Sequence, residues 1–273
     1  MKIAREKLCL YSSPVAGRSS SREIIEYAAR YSLGGVELMN FSDELGEPSL
    51  PVARELRKMA RGAGLALPCF SVGIDIISNT GSALERLFRY AEICSELEIP
   101  YLHHTIALDY RCGKLPYEER EQRFAKGAEA ALELADFCAP LGVKTLIEDQ
   151  GFVFNGVKYC DRLCRLSGER IGIVADVGNI LFASESTEDF ICAMGGRIRH
   201  VHLKDYEPSP DGEGYPTEGG GYIRDCEIGT GMLNFDTIGS AFDDVGYRGY
   251  YSIEFATVRG DDEVERVIGR LTV

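Results

Sequence analysis

No stretch of this 273-residue chain holds the ~18 consecutive apolar residues that a bilayer-spanning helix needs. The first residues, MKIAREKLCLYSS, carry charges at Lys2, Arg5, Glu6 and Lys7, where a secretory signal would place an apolar core. Basic residues are in deficit: 30 Lys and Arg stand against 43 Asp and Glu, a formal charge of −13. A surface of that sign repels phosphate backbones and anionic headgroups, so neither nucleic acid nor a membrane is an expected partner, whereas cations and small molecules are. A glycine-rich dinucleotide fingerprint is missing as well. YSSPVAGRSS follows the first apolar run, which argues against a Rossmann domain. Low-complexity tracts and interdomain linkers are absent too. The nine cysteines are scattered, mostly inside apolar segments such as KLCLY and LPCF, where the thiol serves as a small hydrophobe. Cys160 and Cys164 stand four apart with no second Cys or His pair nearby, which speaks against a zinc ribbon. The expectation is a reduced, cytoplasmic protein.

What is present is alternation. Short β-rich runs at Lys7–Tyr11, Gly35–Met39, Leu65–Phe70, Tyr101–His104, Lys144–Glu148, Ile171–Ala175, Ile198–Leu203 and Gly249–Glu254 are separated by helical patterns. Ser20 and Glu23 form a capping-box spacing ahead of Ile24, Ile25 and Tyr27, and Pro51 and Pro116 suit first helical turns. Glu118–Leu141 reads as a long amphipathic helix closed by Gly142, with later helices at Val157–Leu166, Thr187–Met194, Phe235–Val245 and Asp262–Arg270. Eight βα units predict an α/β fold, a single (β/α)8 TIM barrel spanning residues 1–273. An open doubly wound sheet is the competing architecture. Residues 204–232, containing DGEGYPTEGGGY, are too polar and glycine-rich for a core and read as one long loop.

Barrel strands point alternate side chains inward and toward the helices. On RIRHVHLK this sends Val201 and Leu203 outward and His200, His202 and Lys204 inward. On YYSIEFA it sends Tyr251, Ile253 and Phe255 outward and Ser252 and Glu254 inward. Glu148 shares the inward face with Leu146, Asp176 with Val174, and Glu37 with Gly35 and Met39. These polar groups stand at or just past C-terminal strand ends, where barrel active sites are built. Glu148, Asp176, His202 and Glu254 come from four successive strands. Taken singly, each carboxylate is more often a helix cap or a surface charge. Together, three carboxylates would repel one another unless a divalent cation joined them. With one imidazole they suit Mn²⁺ first, with Mg²⁺, Co²⁺ or Zn²⁺ as alternatives.

The pieces GGVEL, LIEDQG, VADVGN, IRHVHLKD, GTGMLNF and GYRGYYSIEFA, in that order from Gly35 to Ala256, give the chain a resemblance to the xylose isomerase-like barrel superfamily, in particular its sugar isomerase and epimerase branch. The resemblance implies that Glu148, Asp176, His202 and Glu254 ligate the metal and that the two glutamates form the acid/base pair. Proton transfer beside a carbonyl, through a metal-stabilised cis-enediolate, is the chemistry such a set supports. The chain also departs from the epimerases. Asn179 stands where they carry a substrate-binding His, Phe154 where they carry a second Glu, and no Arg follows His202 at Tyr206–Pro208. Ketose specificity is therefore not carried over, and a sugar, sugar phosphate or polyol all remain candidate substrates.

Further candidates accompany this set. Lys204 reads either as a substrate contact or as an ion pair with Asp205 or Glu207. Parity lets only one of His103 and His104 face inward, and His104 is favoured as a substrate contact. Glu37 reads as a hydroxyl acceptor or as a support for a ligand, Asn179 as a hydroxyl donor. Arg224 and Glu227 are candidate closing residues, Gly219–Gly221 lid hinges or a loose tip, and the N–H groups of Gly229–Gly231 a phosphate cradle or simply a tight turn. The first functional expectation is an isomerase or epimerase in carbohydrate metabolism. The second is a lyase or dehydratase, including C-glycoside-cleaving subunits, using the same enolate chemistry. A DNA repair endonuclease with three zinc ions would need more than four histidines and a less acidic chain. An inert binding barrel would not need four inward polar groups. A homo-oligomer is the default expectation.

Overall fold

In the computed structural model, which describes residues 1–11, 15–40, 44–111, 113–255 and 260–272, strands and helices alternate through the chain. The order is β1 (Leu8–Tyr11), α1 (Ser21–Arg30), β2 (Gly35–Met39), α2 (Leu50–Gly62), β3 (Cys69–Val72), α3 (Thr80–Glu96), β4 (Tyr101–His104), α4 (Tyr117–Cys138), β5 (Lys144–Glu148), α5 (Val157–Leu166), β6 (Gly172–Asp176), α6 (Thr187–Met194) and β7 (Ile198–Leu203). Then come β8 (Tyr206–Pro208), β9 (Tyr215–Pro216), β10 (Tyr222–Asp225), α7 (Phe235–Asp244), β11 (Tyr251–Ile253) and α8 (Asp261–Leu271). Strands β1–β7 and β11 form a closed barrel in the order β1-β11-β7-β6-β5-β4-β3-β2, all parallel. This is the (β/α)8 architecture expected from the alternation. Among the described residues no helix is long and apolar enough to cross a membrane. Cys112 and Ala256 lie outside the described residues.

The alternation within each strand builds two interiors. Outward residues such as Leu10, Leu38, Phe70, Leu102, Ile147 and Val201 join the helices in one continuous core; burying each such side chain is worth roughly 1.5–3 kcal/mol. Inside the barrel, Cys69, Leu146 and Val174 pack with Tyr101 as an apolar floor. Above that floor most inward positions are polar, among them Glu37, Ser71, His103, Glu148, Asp176 and His202.

Local signals set several boundaries differently from the sequence reading. β3 begins at Cys69 rather than Leu65 because Pro68 has no N–H for the ladder. Pro116 precedes α4 instead of lying in its first turn. The capping box of α1 does not form. Ser20 donates instead to Glu44 (2.6 Å), whose carboxylate also accepts the N–H groups of Ser21 (2.6 Å) and Arg22 (3.4 Å). A carboxylate from the next βα loop thus caps the helix and complements its dipole. Residues 206–225 are not irregular: β8, β10 and β9 form an antiparallel sheet inserted between β7 and α7.

Gly127 in α4 supplies one test of this packing. A Cβ there would sit 2.5 Å from Ile106 and 2.8 Å from the Phe154 ring, which itself stacks on Phe124. Alanine normally gains about 1 kcal/mol over glycine inside a helix. Here the overlap outweighs that gain, and Gly127→Ala is expected to destabilise the protein by about 1–2 kcal/mol in denaturant unfolding. A stabilised variant would show that this contact is slack.

Candidate metal centre

Glu148 ends β5, Asp176 ends β6, His202 lies one residue before the end of β7, and Glu254 follows β11 directly. Parallel register sets Asp176 opposite His202, and His202 opposite Ser252. One donor atom from each of Glu148, Asp176, His202 and Glu254 lies within 4.8 Å of the others. The imidazole Nδ1 is 2.8 Å from Glu148 Oε1 and 3.2 Å from Glu254 Oε2. The turn after β6 aims Asp176, whose Oδ1 accepts the N–H groups of Gly178 (2.8 Å) and Asn179 (3.0 Å). Asp176 Oδ2 and Glu254 Oε2 are buried and accept no well-formed hydrogen bond, and each lies 3.2 Å from a nitrogen, that of Lys204 and of His202 respectively. Buried carboxylate oxygens converging with an imidazole are a donor set that fits a divalent cation.

Lys204, one residue past β7, points into the same space. Its ammonium lies 2.9 Å from Glu254 Oε1 and 3.2 Å from Asp176 Oδ2, not against Asp205 or Glu207. Below the cluster, Glu37 is fully buried and accepts hydrogen bonds from Ser71 and from Nε2 of His200 (2.7 Å) and of His202 (3.1 Å). Ser252 lies 2.8 Å from the same His200 nitrogen, and Ser71 lies 2.8 Å from His103 Nδ1. By holding Nε2, Glu37 turns the opposite nitrogen of His202 toward the cluster, as carboxylates behind metal-binding histidines do.

Burial and charge compete at every group here. Burial alone would strip the proton from His202, but Glu37, Glu148 and Glu254 together raise its pKa well above the usual imidazole range. Burial pushes Asp176 up to about 7 even though Lys204 pulls it down. In Glu254 burial is outweighed by Lys204 and His202, and in Glu148 by His202, so both remain below the ordinary carboxylate range. Without a cation, His202 is therefore protonated near neutrality and Asp176 partly so. Ligation requires both to be deprotonated. Uptake of Mn²⁺ at pH 7 is expected to release about one to two protons per ion, with affinity falling as pH drops below 7. Calorimetric titration in two buffers of different ionisation enthalpy measures that release; affinity flat from about pH 5.5 to 8 would contradict this protonation pattern.

Other candidates are distributed differently. His103, not His104, faces the barrel interior, its ring 5.3 Å from that of His202. His104 turns to the carbonyl of Thr105 (3.1 Å) on the outward face. Grouping Leu102 with the outward apolar residues would have chosen His103. Arg224 is not at the cluster: it is exposed and pairs with Glu207 (2.7 Å) and Asp211 (3.3 Å). Its neighbour Asp225 lies on the same face of β10 as buried Ile223 and stands opposite Tyr206 in the ladder. Asn179 is buried, its Oδ1 accepting from the Tyr206 hydroxyl (3.3 Å) and its Nδ2 without a partner. Glu227 is bound by Arg266 and Arg270 of α8. The tip at Gly219 is tied down, with Gly219 N–H on Ser184 (2.8 Å) and Glu218 on Arg120 (2.5 Å). A cavity of about 750 Å³, lined by Lys7, Tyr247 and Tyr251 among others, opens at the opposite end of the barrel.

The sequence profile of the xylose isomerase-like TIM barrel family matches residues 25–271. The chain belongs to that family. No curated protein sequence matches it significantly. Solved structures of xylose isomerase-like barrels superpose well. A xylose isomerase domain protein from Planctomyces limnophilus has a TM-score of 0.77 at 13% identity, covering 98% of this chain and 95% of the other. The 3-keto-D-glucoside 4-epimerase of E. coli gives 0.74 at 14%, covering 96% of each chain. The probable 3-DHS dehydratase of Bacillus anthracis gives 0.74 at 14%, covering 96% of this chain and 97% of its own. At these identities the likeness is one of fold.

Proposed function

We propose that the protein is a divalent-metal-dependent enzyme, with Mn²⁺ the first choice of ion, that moves a proton on a carbon beside the carbonyl of a sugar or related polyol, as an isomerase or epimerase. The observation that carries this reading is the convergence of Glu148, Asp176, His202 and Glu254 within 4.8 Å. Those four residues would hold the ion, which when bound supplies Lewis-acid polarisation of the substrate's carbonyl and adjacent hydroxyl oxygens. Glu148 and Glu254 reach the cluster from different strands, so one carboxylate can take the carbon-bound proton while the other returns one. Lys204 keeps Glu254 ionised, so its carboxylate is free to take a proton, and the same ammonium lowers its basicity and favours giving that proton up again. Glu37 holds the orientation of His202, and the free Nδ2–H of Asn179 donates to a substrate hydroxyl.

Elimination is the second reading, favoured by the ammonium of Lys204 beside Glu254. After the same proton removal, a leaving oxygen on the next carbon would depart with a proton from that side, giving a dehydratase or lyase. The superposition on the probable 3-DHS dehydratase of Bacillus anthracis supports this outcome. The test is incubation of the Mn²⁺-loaded protein with free ketoses and 3-keto-glucosides in D₂O, followed by NMR. Deuterium entering the carbon beside the carbonyl supports proton transfer, and the product then separates epimer or aldose from loss of water or of an aglycone. No exchange with any such compound overturns the proposal.

A further inference from the structure

His103 is an inward polar residue that the proposed chemistry does not use. It is 2% exposed, and its ring stands edge-on to that of His202 at 5.3 Å. Its two nitrogens meet different surroundings. Nδ1 lies 2.8 Å from the hydroxyl of Ser71, its partner in the β3–β4 ladder. Nε2 is buried and has no hydrogen-bond partner among the described residues.

The direction of the Ser71 contact fixes where the ring carries its proton. A serine hydroxyl has one proton to give, and Ser71 gives it to the Glu37 carboxylate, which can only accept. Ser71 therefore accepts from His103, and the imidazole proton sits on Nδ1. A second proton is excluded by the surroundings. Burial pushes the pKa of His103 down to about 4, and a divalent cation beside the ring would push it lower still. Nε2 is thus a bare lone pair, a buried acceptor to which no side chain donates.

That nitrogen is turned toward the metal ligands. His103 stands opposite Leu146 in the β4–β5 ladder, and Glu148 follows two residues later on the same inward face. The nitrogens of an imidazole point in nearly opposite directions. With Nδ1 directed at β3, Nε2 is directed at β5, one layer beneath Glu148. One donor atom from each of Glu37, His103 and His202 also lies within 4.8 Å of the others. This grouping is not a second ion site, because the Glu37 carboxylate is already filled by Ser71, His200 and His202. It is a chain of hydrogen bonds that ends at Nε2.

We propose that His103 is a substrate-binding residue whose Nε2 accepts a hydrogen bond from a substrate hydroxyl, with Ser71 and Glu37 fixing the tautomer that makes it an acceptor. This rests on the metal-dependent reading above. The subsite demands a donor. A hydroxyl satisfies it, whereas a carbonyl, ether or ionised phosphate oxygen would bring a second acceptor against the lone pair. A sugar lacking that hydroxyl leaves the buried nitrogen unpaired, and is rejected more strongly than its lost volume alone would cause.

The experiment is long-range ¹H–¹⁵N NMR of the Mg²⁺-loaded full chain, labelled at its four histidines, with the His103 signals assigned by their loss in His103→Phe. At pH 7 the ring is expected to be neutral with its proton on Nδ1, and Ser71→Ala should weaken that preference. The probes are D-fructose, D-allulose, D-tagatose and a 3-keto-glucoside. At least one should move the Nε2 resonance toward that of a hydrogen-bonded nitrogen. His103→Phe, which keeps a ring without an acceptor, should weaken that probe at least about tenfold in calorimetry. Removing the matching hydroxyl from the probe should then cost the variant nothing further. His103→Gln, with an amide oxygen, should recover part of the loss. A proton on Nε2 overturns the inference, as does an Nε2 resonance that no probe moves, or one that Mg²⁺ alone moves as far as any probe does. Failure of the underlying reading is seen separately, as absence of a Mn²⁺ isotherm that Asp176→Asn abolishes.

Discussion

Glu148→Gln is expected to lower kcat/KM for carbon–proton exchange by about 10³–10⁴-fold, or roughly 4–5.5 kcal/mol of transition-state stabilisation. The amide keeps the shape of the side chain and can still accept from His202, 2.8 Å away. It cannot take up a proton, and it weakens the charge that holds a cation. Because three buried carboxylates repel one another, removing one charge does not threaten the fold, so native circular dichroism should accompany the lost exchange. The measurement is deuterium wash-in on the wild-type substrate at saturating Mn²⁺. Exchange within tenfold of wild type would remove Glu148 from the acid/base role while leaving the metal question to the proton-release titration.

The largest expected effect on stability lies at Asp205. This nearly fully buried carboxylate satisfies four backbone N–H groups that fix the passage from the inserted sheet into α7. Asp205→Ala leaves those donors without a partner in a tight turn, at a cost of about 3–5 kcal/mol after some are rehydrated. For a chain of this size that corresponds to a fall in Tm of roughly 6–15 °C. Asp205→Asn should cost less, since one amide oxygen can still serve one pair of N–H groups. Thermal unfolding of the Mn²⁺-free protein measures both. Wild-type stability in Asp205→Ala would mean that the turn holds without its carboxylate.

Much of this was written in local pattern. The apolar positions of IRHVHL and YYSIEF assign one face of each strand to the helices, so the inward set at His202 and Glu254 follows from period two alone. The eight βα units, Gly142 with φ of 71°, which ends the 3-10 turn Ala139–Leu141 following α4, and the helices at Val157–Leu166 and Thr187–Met194 are equally local. Other features were not. Ser20 meets Glu44 rather than Glu23 because a neighbouring loop supplies a better placed carboxylate. Arg224 faces solvent because 206–225 pairs as a sheet that turns Ile223 inward, and a polar, glycine-rich segment carries no apolar alternation strong enough to announce its parity.

By itself the sequence determined the barrel and the strand ends that carry carboxylates and imidazole, because closure and alternation are properties of each βα unit. Only the tertiary structure decided which groups touch. Glu37 behind His202, Lys204 between Asp176 and Glu254, and Asp205 inside the Gly229–Gly231 turn are contacts between residues far apart in the chain or across a loop. Their geometry depends on barrel register and on competition among buried charges, and neither is encoded in a window of neighbouring residues.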